Sequence, residues 1–482
     1  MEDIERKGRD DVMRERKLRK FVTVLLVLTI VPIAVGIIAG GAEGGGKEKT
    51  VSSTPFYQND IVDALLETNV DEDLELSAES TYPVRTPYWV DMVNAEMEGA
   101  TGENVYIAVL DSGLLGLWAN YLDPSCLALQ YAKGFSHKIE WDDDLEDFEI
   151  GPVDGTRGYI APQWGSGHGT HVASTIGGFY LPAFDGMCFV RGVAPGAKII
   201  PVLVLDAWLM DCPDPEYPGC YGGKVLWTGG TYEMIAAGID YVTKLAQNEL
   251  SDSRVIISMS LGGPSPGQII EDAIDKAIEE GVIVVASAGN NGYNGMGWPG
   301  AYPQVISVAA AGWTELFYPN NYFWRDDYKD VPEKLNTKDY LGNNWQLYLA
   351  SFSSRPNKYL GQKPQDLDVT APGHYILGPF KNKAYWNGEE WIWPAPAYYW
   401  VSGTSMAAPH VSGIAALILE KNPKLGQFQM EKVLKTAANS LPIPCNGAVA
   451  YYGNWVFKWY GTDWGAGFIL ADRALKKADD LY

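Results

Sequence analysis

"VYIAVLDSG", residues Val105–Gly113, decides the fold. Val105–Leu110 is an unbroken run of apolar and aromatic residues, and it delivers Asp111 into a Ser-Gly turn. A short run of this kind, bounded by turn residues, reads as a strand buried on both faces. Runs of the same character follow: "IIPVLVL" (Ile199–Leu205), "VIISMSL" (Val255–Leu261), "VIVVASA" (Val282–Ala288), "VISVAAA" (Val305–Ala311) and "LDVTA" (Leu367–Ala371). Between several of them lie helical patterns, "TYEMIAAGIDYVTKLAQNEL" (Thr231–Leu250) and "IIEDAIDKAIEEG" (Ile269–Gly281). Strand–helix alternation predicts an α/β fold, a doubly wound and mostly parallel sheet with helices on both faces. Ligands of such sheets bind beyond the carboxyl ends of the strands.

Four segments put reactive side chains at such ends. Asp111 ends the first run. "GSGHGTHVAST" (Gly165–Thr175) carries His168 and His171 at the head of a helix, "VVASAGNNG" (Val284–Gly292) runs a strand into Asn290, and "VSGTSMAAPHVSG" (Val401–Gly413) opens a helix at Ser405. Each has an ordinary reading by itself. Asp-Ser-Gly and Asn-Asn-Gly are turn sequences, and a serine at a helix start is a cap. The histidines are three apart, with Gly169 and Thr170 between them. Zinc helices of the H-E-x-x-H type space them by four around a glutamate base, so a metal is not expected. Together the four residues supply one reaction. A weak hydroxyl nucleophile needs a base, the base needs an orienting carboxylate, and the oxyanion needs donors.

The stretches "AVLDSG", "GHGTHVAS", "SMSLGGP", "ASAGN" and "SGTSMAAPHVSG" resemble the signature segments of subtilisin-like serine proteases (subtilases), in that family's order. The resemblance runs from about Tyr88 to Ala478 and includes the closing "WGAGFILADRAL". It implies a serine endopeptidase in which Asp111 orients the base His168, Ser405 is the nucleophile and Asn290 donates to the oxyanion. His171 and His410 fall at structural positions of the family. The resemblance also implies a substrate cleft. Ser260, Leu261, Gly262 and Gly263 form one wall and pair with substrate backbone; Ala286, Ser287, Ala288 and Gly289 form the other, with Gly297 as the floor. These segments carry no charge, so a large apolar residue is expected before the cut bond. Trp298–Pro299 is a candidate for the cis form, against the general trans preference of X-Pro bonds. No cofactor is expected for the chemistry, and the family allows structural calcium.

The rest of the chain frames these expectations. "FVTVLLVLTIVPIAVGIIAG" (Phe21–Gly40) has no charge and is long enough to cross a bilayer. "RERKLRK" (Arg14–Lys20) flanks it on the side expected to stay in the cytoplasm. A single-pass anchor with the catalytic domain outside is therefore expected, with a signal peptide cleaved near Ala42 as the rival. The expected division is a basic tail (1–20), the span (21–40), a linker and acidic pre-segment (41–81) and one catalytic domain (82–482). The span Gly44–Val84 is shorter and less patterned than the inhibitory propeptide many subtilases carry. A net charge of −23 excludes nucleic acid as a partner; polypeptides and, through the span, a membrane remain. Cys212 and Cys220 bracket a turn-rich "PDPEYPG", where an oxidising compartment would permit a local disulfide. Insertions are read at "EWDDDLEDFE" (Glu140–Glu149), as a solvated loop or calcium ligand, and around Asp206–Gly229 and Trp313–Leu349. The rival functions are a sedolisin-type acid peptidase, opposed by His168 and Asn290, an inactive subtilase-like peptide-binding surface protein, and a carbohydrate-binding protein argued only from Trp and Tyr content.

Overall fold

A computed structural model describes residues 82–481, apart from 97–98, 145, 184–185, 314–346, 439–447 and 453–454. Phe21–Gly40, the pre-segment and most of the Trp313–Leu349 insertion lie outside the described residues. Among the described residues no helix is long and apolar enough to cross a membrane.

The strands are β1 (Val105–Asp111), β2 (Lys133–Gly134), β3 (Lys198–Leu203), β4 (Arg254–Met259), β5 (Ile283–Ser287), β6 (Ile306–Trp313), β7 (Leu347–Leu349) and β8 (Val369–Pro372). They make an eight-stranded sheet in the order β7-β6-β5-β4-β1-β3-β2, with β8 also paired to β6. Only β7 runs antiparallel; the other pairings are parallel.

Side chains of a strand alternate between faces, and here they feed two cores. Ile107 and Val109 of β1, Ile256 of β4 and Ile283 and Val285 of β5 enter one core. Ala108 and Leu110, Val255 and Ile257, and Val284 and Ala286 enter the other. The second face is covered by α2 (Tyr232–Gln247) and α3 (Gln268–Glu279). Their buried residues, such as Ile235, Ile239 and Val242 or Ile270, Ile274 and Ala277, follow the helical period. Thr231 caps α2, its hydroxyl accepting from the Met234 N–H at 3.3 Å. The first face carries α1 (His168–Gly177), α4 (Thr404–Lys421) and α5 (Gln427–Ala438). Every residue of α4 from Thr404 to Leu419 is buried, which explains why its sequence lacks a polar face.

The first two insertions fold as antiparallel hairpins. "EWDDDLEDFE" belongs to one, pairing Ser136–Asp142 with Asp147–Asp154, so the expected loop is a pair of strand ends and a turn. Asp206–Asp211 pairs with Lys224–Gly229 in the second. The two pack through a small cluster of Phe148, Cys212 and Val225, flanked by Trp141, Tyr217 and Trp227. A third pairs Tyr385–Trp386 with Trp391–Ile392 and meets the second: Trp386 stacks on Tyr221 at 6.4 Å, and the Trp391 indole donates to the Tyr221 carbonyl at 3.0 Å. Cys212 and Cys220 are free thiols. The Cys212 Sγ donates to the Asp214 carbonyl at 3.0 Å rather than bridging.

Candidate active site

Asp111 is the last residue of β1, His168 the first of α1 and Ser405 the second of α4, while Asn290 lies just past β5. All four thus sit at the carboxyl edge of the sheet or at helix starts facing it. Asp111 and His168 are 0% and 1% exposed, and His168 Nδ1 lies 2.8 and 2.9 Å from the two carboxylate oxygens. A carboxylate only accepts, so Nδ1 carries the proton and Nε2 offers its lone pair. Nε2 is buried and has no hydrogen-bond partner. The Ser112 N–H donates to Asp111 Oδ1 at 2.6 Å and holds the carboxylate in place. Gly169 permits this proximity: a Cβ there would lie 2.4 Å from the Gly113 carbonyl oxygen and 3.2 Å from Asp111 Oδ1.

Ser405 is fastened to Ser260, in a segment expected to wall the cleft. Its Oγ donates to the Ser260 carbonyl at 3.2 Å, and the Ser260 hydroxyl donates to the Ser405 carbonyl at 2.6 Å. That carbonyl is available because Pro409, inside the helix, has no N–H to return to it. The Ser405–His168 bond is not formed in this state, as is common in sites that tighten only around substrate.

Two donors converge beside Ser405. The Thr404 N–H and hydroxyl both donate to Asn290 Oδ1, at 2.9 and 3.0 Å, which fixes the amide and leaves Nδ2 to act. The point where Gly403 would carry a Cβ lies 3.4 Å from Asn290 Nδ2 and 3.6 Å from the Ser405 nitrogen. The Ser405 N–H belongs to the first turn of α4, where N–H groups have no helical acceptor and the dipole favours negative charge. Glycine at 403 keeps this point open. Asn290 Nδ2 and the Ser405 nitrogen thus both lie near one open point, and two N–H donors are what a tetrahedral oxyanion requires.

The expected cleft segments also come together. Gly263 and Trp298 exchange backbone bonds of 2.8 and 3.0 Å, and the Gly297 N–H donates to the Ala288 carbonyl at 2.9 Å. Ser260–Gly263, Ala286–Gly289 and Gly297 are thus hydrogen-bonded neighbours. Leu261 and Ala286 point into the core beneath α2 and α3, so they offer a substrate backbone and not side chain. Trp298–Pro299 is cis.

His171 and His410 stand apart. His171 Nε2 lies 3.1 Å from the Ile376 carbonyl and His410 Nδ1 2.7 Å from the Met406 carbonyl. Burial pushes their imidazoles down to about 3 and about 4, so both are neutral packing groups. Among the described residues no group of three or more His, Cys, Asp or Glu is arranged to hold a metal ion.

Sequence reasoning passed over the residues that steady these groups. The Ser112 hydroxyl donates to the Ser166 carbonyl at 3.2 Å and accepts from the Gly169 N–H at 3.0 Å. Ser112, Ser166 and Thr404 sit within two residues of named ones, and that adjacency was the available signal.

The chain was compared with known proteins. The subtilase family model matches residues 102–454. Subtilisin E of Bacillus subtilis is 30% identical over 380 residues, 77% of this chain and 70% of its own. Subtilisin DY of Bacillus licheniformis is 29% identical over 375 residues, 76% of this chain and 94% of its own. Among solved structures, Sphericase aligns with 26% identity over 80% of this chain and 97% of that one, with a TM-score of 0.47.

Proposed function

This chain belongs to the subtilase family and is a serine endopeptidase, and from that premise we propose how its own residues divide the reaction. The Ser405 Oγ attacks the carbonyl carbon of the cut bond while His168 Nε2 takes its proton. Asp111 holds the His168 Nδ1–H and balances the imidazolium that forms. The carbonyl oxygen, now negative, is received by Asn290 Nδ2 and the Ser405 N–H. Collapse expels the amine, which takes the proton from His168 and leaves an acyl group on Ser405; water, activated by the same imidazole, then releases the acid. The observation that carries this reading is the buried, unpartnered His168 Nε2 held by Asp111, together with Asn290 Nδ2 and the Ser405 nitrogen near one open point.

The uncharged, glycine-rich walls support a preference for a large apolar residue before the cut bond. One catalytic domain from about Tyr82 to the last residue carries the activity. Phe21–Gly40 anchors it to a membrane with the domain outside the cytoplasm, a reading supported by the length of that run and its basic flank. Labelling by a fluorophosphonate tests the assignment: wild type should be modified at Ser405 and Ser405→Ala should not. Labelling of Ser405→Ala at another serine would move the nucleophile. Solubilisation of the full-length chain by carbonate washing would rule out the anchor.

A further inference from the structure

A second recess adjoins the acid–base pair. Its volume is about 60 Å³, and its lining includes Ser112 and Ser166, which flank Asp111 and His168, together with Leu205, Asp206, Thr228 and Lys383. None of the segments expected to read the residue before the cut bond contributes to it, so it is a separate subsite.

Its charge is unbalanced. The Asp206 carboxylate is already satisfied: Arg157 Nε reaches Oδ2 at 2.9 Å, Arg157 Nη2 reaches Oδ1 at 3.2 Å, and the Ala207 N–H donates to Oδ1 at 2.8 Å. Lys383 has no such partner. Its ammonium makes one contact, donating to the Thr228 hydroxyl at 3.2 Å across the recess. Lys383 is otherwise exposed, so its ammonium stands open to whatever enters the recess. Lys381, two residues earlier, is buried and donates only to the Gln163 carbonyl. On a chain of net charge −23, acidic partners for lysines are plentiful, yet among the described residues these two have none.

We propose that Lys383 reads a carboxylate of the substrate: the recess takes an Asp or Glu side chain lying within about three residues of the cut bond, at a position other than the one filling the apolar pocket. The carboxylate pairs with the ammonium at the rim of the recess, with the Thr228 hydroxyl free to donate as well. The chain is then an endopeptidase for apolar sites with an acidic neighbour. This rests on the catalytic assignment for its setting, and its test does not depend on turnover.

Fluorescent peptides with a fixed apolar residue and Glu or Gln scanned through the flanking positions are bound to full-length Ser405→Ala and measured by polarisation. One position should favour Glu over Gln by about three- to tenfold, less at high salt. In Ser405→Ala carrying Lys383→Gln that ratio should fall to about one, and Lys383→Glu should turn it in favour of a Lys-bearing peptide. Lys383→Arg should retain it, which separates loss of charge from loss of fold. The same ratio in kcat/KM should appear in the active enzyme. A Glu/Gln ratio near one at every position, or one that survives Lys383→Gln, overturns the proposal. Absence of fluorophosphonate labelling with the binding preference intact would instead overturn the catalytic assignment alone.

Discussion

In β1, Ile107 and Val109 face one core while Ala108 and Leu110 face another, and each core continues through the neighbouring strands. The Asp206–Gly229 hairpin commits Cys212 and Val225 to a cluster completed by Phe148 of the adjacent hairpin. The sheet is over-determined: its central strands β5, β4, β1 and β3 are each held by two neighbours, between two layers of helix. The hairpins are held by one another. The residues assigned to bond cleavage stand on the first region, and those that wall the second recess, Asp206, Thr228 and Lys383, stand on the hairpins or beside them. The division teaches that reaction geometry is kept where packing leaves least freedom, and selection where the chain can change without disturbing it.

That division can be broken by experiment, beginning where the effect is largest. Ser405→Ala should lower kcat by several powers of ten on casein and on every peptide, leaving a small residual rate. A loss confined to some substrates would mean that Ser405 selects and does not attack. Asn290→Ala should lower kcat by about 10²–10³ with KM nearly unchanged, a size carried over from an oxyanion donor of subtilisin. A raised KM at constant kcat would make Asn290 a binding residue, and Asn291→Ala serves as its control.

Stability should divide along the same line. Ile257→Ala, at a site 0% exposed between β4 and the helices, should cost about 2–5 kcal/mol in chemical denaturation. Val225→Ala, in the hairpin cluster, should cost about 1–2 kcal/mol. Equal costs would show that the hairpins belong to the main cooperative unit.

Acid should reach the sheet side as well. His171 and His410 are buried and His374 partly buried, and burial holds them down at about 3, about 4 and about 4, whereas an unfolded histidine titrates near 6.5. Between these values the unfolded chain binds more protons, so stability rises with pH. The contribution is complete above about pH 6.5 and is lost as pH falls towards 4 and below. Midpoints of urea denaturation from pH 8 to pH 4 measure it, and a flat profile would contradict the assignment of these histidines as neutral groups.

The sheet was legible because its strands are buried on both faces. Val105–Leu110, Val255–Leu261 and Val282–Ala288 stand out as apolar runs, and the observed strands begin and end within two residues of them. The helix Tyr232–Gln247 was legible from its apolar period. The hairpins were not. Their strands are short and mixed in polarity, and "EWDDDLEDFE" reads as a solvated loop because only Phe148 among its described residues is fully buried. At the site, the motif residues were visible, but the roles of Ser112, Ser166 and Thr404 depend on contacts between segments far apart in the chain. Lys383 gave no signal. "FKNKAY" is an ordinary surface sequence until Arg157 takes the one carboxylate of the recess.

The proline of α4 has a consequence for how recognition becomes rate. By withholding an N–H from the Ser405 carbonyl, Pro409 releases that oxygen to the Ser260 hydroxyl, while the Ser405 hydroxyl reaches back to the Ser260 carbonyl. On the proposed assignment, nucleophile and specificity wall are joined by these two bonds rather than merely meeting. A side chain that seats badly against Ser260–Gly263 therefore misaligns the attacking oxygen by the same displacement, and a poorly fitting residue before the cut bond should depress kcat as well as raise KM.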